Sequence, residues 1–164
     1  MGISTDGQIC FGIPFAEDYI FPWDNEKYGG DFEDWYLYEI CGYKNPFELY
    51  DGKGDYVDGE KPSEDKISKY YDTRSNFCQA HPLPIEPVNY CSGDCPMYMV
   101  VILRTFKTNS RGSPCAFDPK ELTITDEEKQ DLVIFCEKYC RPAEDTYCEF
   151  PKMEPKWYLS SLWS

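Results

Sequence analysis

Residues 97–103, Met-Tyr-Met-Val-Val-Ile-Leu, form the most apolar run of the chain and limit its fold more than any other feature. Seven consecutive apolar or aromatic residues are typical of a strand that is buried on both faces. We therefore predict a central strand over residues 97–107. A neighbouring strand is predicted over residues 88–92, on the other side of the turn residues Gly93 and Asp94.

Three segments carry helix signals and are predicted as helices: residues 31–41, Glu64–Ala80 and Asp126–Tyr139. The last is the clearest, because Thr125-x-x-Glu128 forms a capping box at its start. Ser63 is placed to cap the second helix. Gly42 stands just past the first, where glycine is common. A short hairpin is predicted over residues 47–58.

The order of these elements predicts the fold class. Residues 8–15 are interpreted as a first strand, and Pro14 near its end indicates an edge position, because proline cannot donate to a sheet. The apolar segment 157–163 is expected to dock on the core as a strand or short turn. We predict one α+β domain over residues 1–164, with a mainly antiparallel sheet and about three helices packed on it.

Charge is distributed unevenly along the chain. The net charge is −14, and residues 1–65 carry 16 acidic and 4 basic side chains, against 14 and 12 in residues 66–164. Phosphates would be repelled by the front half, so DNA and RNA are not expected to bind it directly. A basic protein surface is the favoured partner, since complementary charge speeds encounter and fixes orientation. The alternative is that the acids only keep the protein soluble.

The predicted helix 31–41 has an unusual pattern, because its apolar and aromatic residues spread around the whole circumference. Either this helix is buried on nearly all sides, or part of its aromatic surface is left for a partner. Glu33, Asp34 and Glu39 point in different directions and need water or partners.

Carboxylates on a rigid surface can imitate the phosphates of DNA and occupy a basic groove, and Trp and Tyr are typical interface anchors. Ten residues of the front half are therefore the candidate partner-binding residues: Asp24, Asp31, Glu33, Asp34, Trp35, Tyr38, Glu39, Asp51, Asp55 and Asp58. No catalytic residue is predicted.

The nine cysteines are predicted to be free thiols. The chain has no stretch of about 20 apolar residues that could span a membrane, and its start has no signal-peptide features, so a cytosolic protein is expected. A zinc site is one alternative, in which two Cys-x3-Cys pairs supply four thiolates: Cys91, Cys95, Cys136 and Cys140. The other alternative is that these cysteines are buried and free.

A pocket near Arg74, His81 and the central strand is a further alternative, which would make the chain a small-ligand binder or an enzyme. His81 is the only histidine, so a Cys/His catalytic pair would have to use it, with Cys78 beside it. No orienting third group is recognisable, and a helix-end histidine is favoured. Arg74 falls within an apolar stripe, where it is expected to pair with an acid or to extend its charged end to water.

Four segments together resemble a known family: residues 1–8, residues 21–24, residues 82–84 with 88–94, and residues 156–161. The chain is similar, nearly end to end, to a family of small acidic proteins encoded by tailed bacteriophages and prophages. The family has no settled activity, so the resemblance implies no catalytic residue. It implies expression in the cytoplasm of an infected bacterium, where small acidic phage proteins often disable restriction, CRISPR or transcription complexes.

The leading hypothesis is therefore a non-enzymatic phage protein that binds and inhibits a basic, nucleic-acid-handling host protein. Its mechanism would be steric and electrostatic occlusion. The alternatives are the ligand pocket, the cysteine-ligated zinc site, and an assembly protein that forms a homodimer through its aromatic surface.

Overall fold

A computed structural model of the chain describes residues 5–47, 49, 56, 59–92, 97–110, 112, 114, 116–142 and 147–163. These residues form five strands and three α-helices: β1 (Thr5–Pro14), α1 (Phe32–Trp35), α2 (Glu64–Ala80), β2 (Ile85–Asn89), β3 (Tyr98–Ile102), β4 (Lys107–Ser110), α3 (Asp126–Tyr139) and β5 (Lys156–Trp163). All strand pairs are antiparallel. The predicted α+β class, with a mainly antiparallel sheet and about three helices, is confirmed.

β1 lies in the middle of the sheet. It pairs with β5 on one side, and with β3 and β4 on the other, while β2 pairs with the far side of β3. The edge position predicted from Pro14 is therefore wrong. Phe15 donates its N–H toward β3, to the carbonyl of Tyr98, so the nitrogen of Pro14 faces the opposite side. The pairing with β5 has already ended at Gly12 on that side, and no strand bond is lost.

The predicted central strand 97–107 is an interior strand, but it is interrupted by a 3-10 turn, Leu103–Thr105. Thr105 is fully buried. Its hydroxyl donates to the carbonyl of Ile102 at 2.6 Å and accepts the N–H of Phe11 at 3.0 Å. This side chain replaces a ladder hydrogen bond between the main chains, and the strand resumes as β4.

β2 begins and ends three residues before the predicted strand 88–92. Asn89 explains where it ends, because its side chain accepts the N–H of Cys91 at 3.1 Å and donates to the carbonyl of Ser92 at 2.8 Å. Such a side-chain turn ends a strand locally. β5 confirms that the apolar end segment docks on the sheet.

Both faces of the sheet contribute to the core. Cys10, Val88, Met99 and Val101 form a buried cluster. α3 packs against β3 and buries Leu132, Phe135 and Cys136. The bounds of α3 and its Thr125–Glu128 capping box are as predicted.

Contacts divide the chain into two compact units, Met1–Pro22 with Leu83–Ser164, and Trp23–Pro82. We call them the sheet unit and the helical unit. The helical unit contains α1 and α2. The bounds of α2 and its Ser63 cap are as predicted. The predicted helix 31–41 is instead α1 followed by a π-helical turn, Tyr36–Ile40.

Gly42 has φ +65° just past that turn, the left-handed conformation that favours glycine at a helix end. Most of the predicted hairpin 47–58 lies outside the described residues. In the part of the chain that is described, no helix has the length and apolarity needed to cross a bilayer.

Candidate functional site

α1 is fixed to the helical unit by three buried aromatic side chains. Trp23 lies with its ring centroid 4.8 Å from that of Phe32 and 5.1 Å from that of Trp35, and all three side chains are buried. Leu37 in the following π-helical turn is also buried. Of the two alternatives for this segment, the structure favours burial of its largest apolar groups. The exposed side of α1 is therefore polar and firmly supported.

Three carboxylates lie at the start of α1, and two of them contact one cation of α2. Asp31 caps α1 and accepts the N–H of Asp34 at 2.8 Å. Arg74 Nη2 lies 2.8 Å from Asp34 Oδ1 and 3.3 Å from Glu33 Oε2. We call Asp31, Glu33, Asp34 and Arg74 the carboxylate cluster. With three acids and one base it carries a local charge of −2.

The pairing of Arg74 with acids, predicted from the sequence, is confirmed. Burial by itself would lower the pKa of Arg74, but the hydrogen bond to Asp34 and the charges of Asp34 and Glu33 outweigh it, and the pKa is raised. The guanidinium is thus permanently charged. Glu33 and Asp34 keep 47% and 40% of their side-chain area exposed, so a second cation can reach both carboxylates.

Cys78 belongs to the surroundings of this cluster. Its thiol donates to Glu33 Oε1 at 3.4 Å. Burial, this hydrogen bond and the charge of Glu33 raise the pKa of Cys78, which is the opposite of what a nucleophilic cysteine requires. His81 stacks on the ring of Phe77 with centroids 4.0 Å apart, and its Nδ1 lies 3.0 Å from the carbonyl of Phe77. Both residues thus have structural contacts.

Glu39, in the π-helical turn, is held by two other side chains. It accepts hydrogen bonds from Lys27 Nζ at 2.5 Å and from the hydroxyl of Tyr28. The hydrogen bond from Lys27, then that from Tyr28, lowers the pKa of Glu39. Because Lys27 balances its charge, Glu39 adds little net charge to the surface.

The other candidate partner-binding residues occupy different surroundings. Asp24 is exposed and Tyr38 is half-buried. Burial, then a hydrogen bond with Tyr70, raises the pKa of Tyr38. Trp35 is buried, so it supports α1 and does not project from the surface. Asp51, Asp55 and Asp58 lie outside the described residues.

The cations that bind the carboxylates were not assigned to them from the sequence. Arg74 is 40 residues from Asp34, and Lys27 is 12 from Glu39. The sequence showed only that Arg74 falls inside an apolar stripe. Its position there was a usable signal, since a guanidinium among apolar groups needs an acid nearby.

The candidate zinc ligands are only partly described. Cys136 and Cys140 are fully buried in and just after α3. Their mutual hydrogen bond, together with burial, raises the pKa of Cys140. Cys91 is half-buried, and Cys95 lies outside the described residues. Among the described residues, no group of three or more His, Cys, Asp or Glu side chains is placed to hold a metal ion.

Two cavities are lined by residues of the sheet unit. One, of 320 Å³, is lined by apolar residues that include Leu83, Ile85 and Ile102, and also by Arg104. The other, of 570 Å³, lies over β1 and β4. Neither is lined by Arg74 or His81, the residues from which a ligand pocket was hypothesised.

Comparisons of the chain with protein-family models, with curated proteins and with solved structures find no match.

Proposed function

We propose that this chain is a non-enzymatic binding protein whose carboxylate cluster occupies the basic surface of a nucleic-acid-handling protein. The observation that carries the proposal is that two carboxylates of one helix start, Glu33 and Asp34, share a single guanidinium beside a third carboxylate at Asp31. One cation cannot neutralise three anions, so the cluster attracts a second cation from outside.

Rigidity favours this use of the cluster. A flexible acidic loop loses conformational entropy when it binds, whereas a supported helix start has already lost it. Trp23 packs against Phe32 and Trp35 on the buried side of α1. Arg74 contacts Glu33 and Asp34. The carboxylates therefore present fixed negative charge, as the phosphates of a nucleic acid do in a basic groove.

The net charge of −14 supports the same conclusion, because it steers the chain toward basic surfaces from a distance. The sequence resemblance to tailed-phage proteins supplies the biological setting of the proposal. The partner would be a host defence or transcription complex, of the restriction or CRISPR kind, and the chain would act by occlusion in the cytoplasm of the infected bacterium.

The test is capture of proteins from a bacterial lysate by the purified chain and by a double variant, Asp31→Asn with Glu33→Gln. Asparagine can still cap α1, and Asp34 still pairs with Arg74, so the variant keeps its fold. We expect the wild type to retain a basic nucleic-acid-binding protein and the double variant to lose it.

The matched control is Asp118→Asn with Glu127→Gln, which removes two charges from the sheet unit. Asp118 also caps a helical turn, Pro119–Leu122, and Glu127 also lies in the first turn of a helix. This control should retain the partner. Equal loss in both double variants would show that total charge, and not the carboxylate cluster, attracts the partner, and would refute the proposed site.

A further inference from the structure

The 320 Å³ cavity of the sheet unit is formed by three separate segments of the chain. Its lining comes from residues 83–85 at the start of β2, residues 102–104 at the end of β3, and Glu128 and Asp131 of α3. Sites for small molecules measure about 300–1,000 Å³ and have mostly apolar walls with a few polar groups. The cavity has the size and the lining of such a site.

Hydrogen bonds fix two sides of this cavity. The N–H of Leu103 donates to the carbonyl of Pro84 at 2.9 Å, which joins the end of β3 to the start of β2. Arg104 binds Glu128 through both carboxylate oxygens and so connects the end of β3 to α3. A ligand that enters a cavity with fixed walls loses little binding free energy to the ordering of the protein.

The body of a suitable ligand is apolar. Five of the eight lining residues are apolar. Ile85 and Ile102 are opposite each other in the β2–β3 ladder and are both buried. Leu83 and Leu103 are half-buried, so they have apolar area left that a ligand can cover. Covering such area removes it from water, which favours binding.

The charge at the cavity is negative and lies at one residue. Both oxygens of Glu128 are bound by Arg104, at 2.6 and 2.7 Å, so these two side chains neutralise each other. Asp131 follows Glu128 by three residues on α3, which places both on one face of the helix. Asp131 is exposed, and within the described part of the chain no hydrogen bond or ion pair involves its carboxylate. The three charged lining residues therefore sum to −1.

We propose that this cavity binds a small apolar amine, with its ammonium group at Asp131 and its apolar body against Leu83, Ile85 and Ile102. A carboxylic acid of the same shape would meet the charge of Asp131, while Arg104 is already bound to Glu128 and to two carbonyls. A neutral compound would cover the same apolar area but would form no ion pair. The charges of the lining thus select the amine.

The inference does not rest on the proposed function. The cavity belongs to the sheet unit, whereas the carboxylate cluster belongs to the helical unit. Capture of a basic protein depends on Asp31 and Glu33, and amine binding depends on Asp131. Either proposal can therefore fail without the other.

Three probes of nearly equal shape test the cavity: 2-phenylethylamine, 2-phenylethanol and 3-phenylpropionate. Each is titrated at pH 7 and low salt into the full ¹⁵N-labelled chain, up to about 20 mM, which detects millimolar binding. We expect saturable changes of amide chemical shift at residues 83, 85, 102–104, 128 and 131. The amine should bind about three- to fivefold more tightly than the alcohol, the gain of one exposed ion pair. The carboxylate should bind most weakly.

Asp131→Asn removes the charge and keeps the size of the side chain. This variant should bind the amine and the alcohol equally, with its affinity for the alcohol unchanged. Glu137→Gln is the matched control, because it removes one exposed charge from the same helix at a residue that does not line the cavity. It should keep the preference for the amine.

Two results would overturn the proposal. One is a wild-type chain in which the amine causes no saturable shift changes at the lining residues. The other is an Asp131→Asn variant that prefers the amine over the alcohol as strongly as Glu137→Gln does. The amide spectrum of each variant without ligand reports in the same experiment that its fold is intact.

Discussion

Two arginines, Arg104 and Arg74, bind their neighbouring carboxylates in different ways. In the sheet unit, Arg104 binds one carboxylate, with Nε 2.6 Å from Glu128 Oε1 and Nη2 2.7 Å from Glu128 Oε2, and also donates to the carbonyls of Glu121 and Thr123. In the helical unit, Arg74 contacts two carboxylates, Asp34 and Glu33, beside a third at Asp31. The first arrangement has balanced charge; the second has an excess of negative charge.

This difference separates a structural ion pair from a candidate binding surface. Arg104 donates four hydrogen bonds, two to the carboxylate of Glu128 and two to backbone carbonyls. The carboxylates around Arg74 are partly exposed and carry more negative charge than Arg74 neutralises. Variants at the two arginines and at their carboxylates test whether this difference in charge balance is real.

Arg104→Met should have the largest effect on stability. It removes a bidentate ion pair and two hydrogen bonds to carbonyls. Since Arg104 is 44% exposed, water replaces part of what is lost, and we expect a loss of about 2 kcal/mol in the free energy of unfolding. Denaturant titration measures it. A loss equal to that of a surface lysine variant such as Lys138→Met would contradict the structural role of Arg104.

Arg74→Met should destabilise less, by about 1 kcal/mol, because two contacts are lost and the carboxylates can turn to water. Its effect should shrink as salt increases, since the remaining repulsion between Glu33 and Asp34 is screened. The effect of Arg104→Met should persist, because hydrogen bonds to uncharged carbonyls are not screened. Denaturant titrations at low and high salt measure the loss of stability in each variant. If salt changes the two losses equally, the two sites do not differ in charge balance.

Glu128→Gln should change how stability depends on pH. A hydrogen bond from the N–H of Thr125, followed by that from Arg104, lowers the pKa of Glu128 below its usual 4.5. A lowered folded-state pKa gives stability above the unfolded value and loses it as pH falls through the folded value. Below pH 4.5 the free energy of unfolding of the wild type should therefore fall toward that of Glu128→Gln. A difference in the free energy of unfolding that stays constant across the acid range would contradict the assignment of this stability to the lowered pKa of Glu128.

Asp31→Asn with Glu33→Gln should have the smallest effect on stability, within about 0.5 kcal/mol, because the helix cap and the Arg74–Asp34 pair remain. Thermal unfolding measures this change in stability, with the double variant Asp118→Asn and Glu127→Gln as the control. A large loss of stability would mean that these carboxylates serve the fold, which would weaken their assignment to a partner.

Local signals predicted the structure well. Ser63 and the Thr125–Glu128 capping box marked the starts of α2 and α3 because a cap bonds to groups within three residues. Gly42 marked the end of the first helical segment for the same local reason.

Distant partners were not predictable in the same way. The central position of β1 depends on β5, whose residues pair with it from the far end of the sequence, and the break before β4 depends on the bond between Thr105 and Phe11. The carboxylates of the candidate site were found from their charge, but the folded chain is needed to bring Arg74 of α2 to Asp34 of α1. The balance of charge, on which the proposal depends, is therefore a property of the folded chain.

Capture from a bacterial lysate, followed by washes of rising salt, tests the central claim most directly. The account predicts that the wild-type chain retains a basic nucleic-acid-binding protein, that rising salt releases it, and that Asp31→Asn with Glu33→Gln fails to retain it while the Asp118→Asn and Glu127→Gln control succeeds. Retention that is unaffected by salt, or equal in the two double variants, would contradict it.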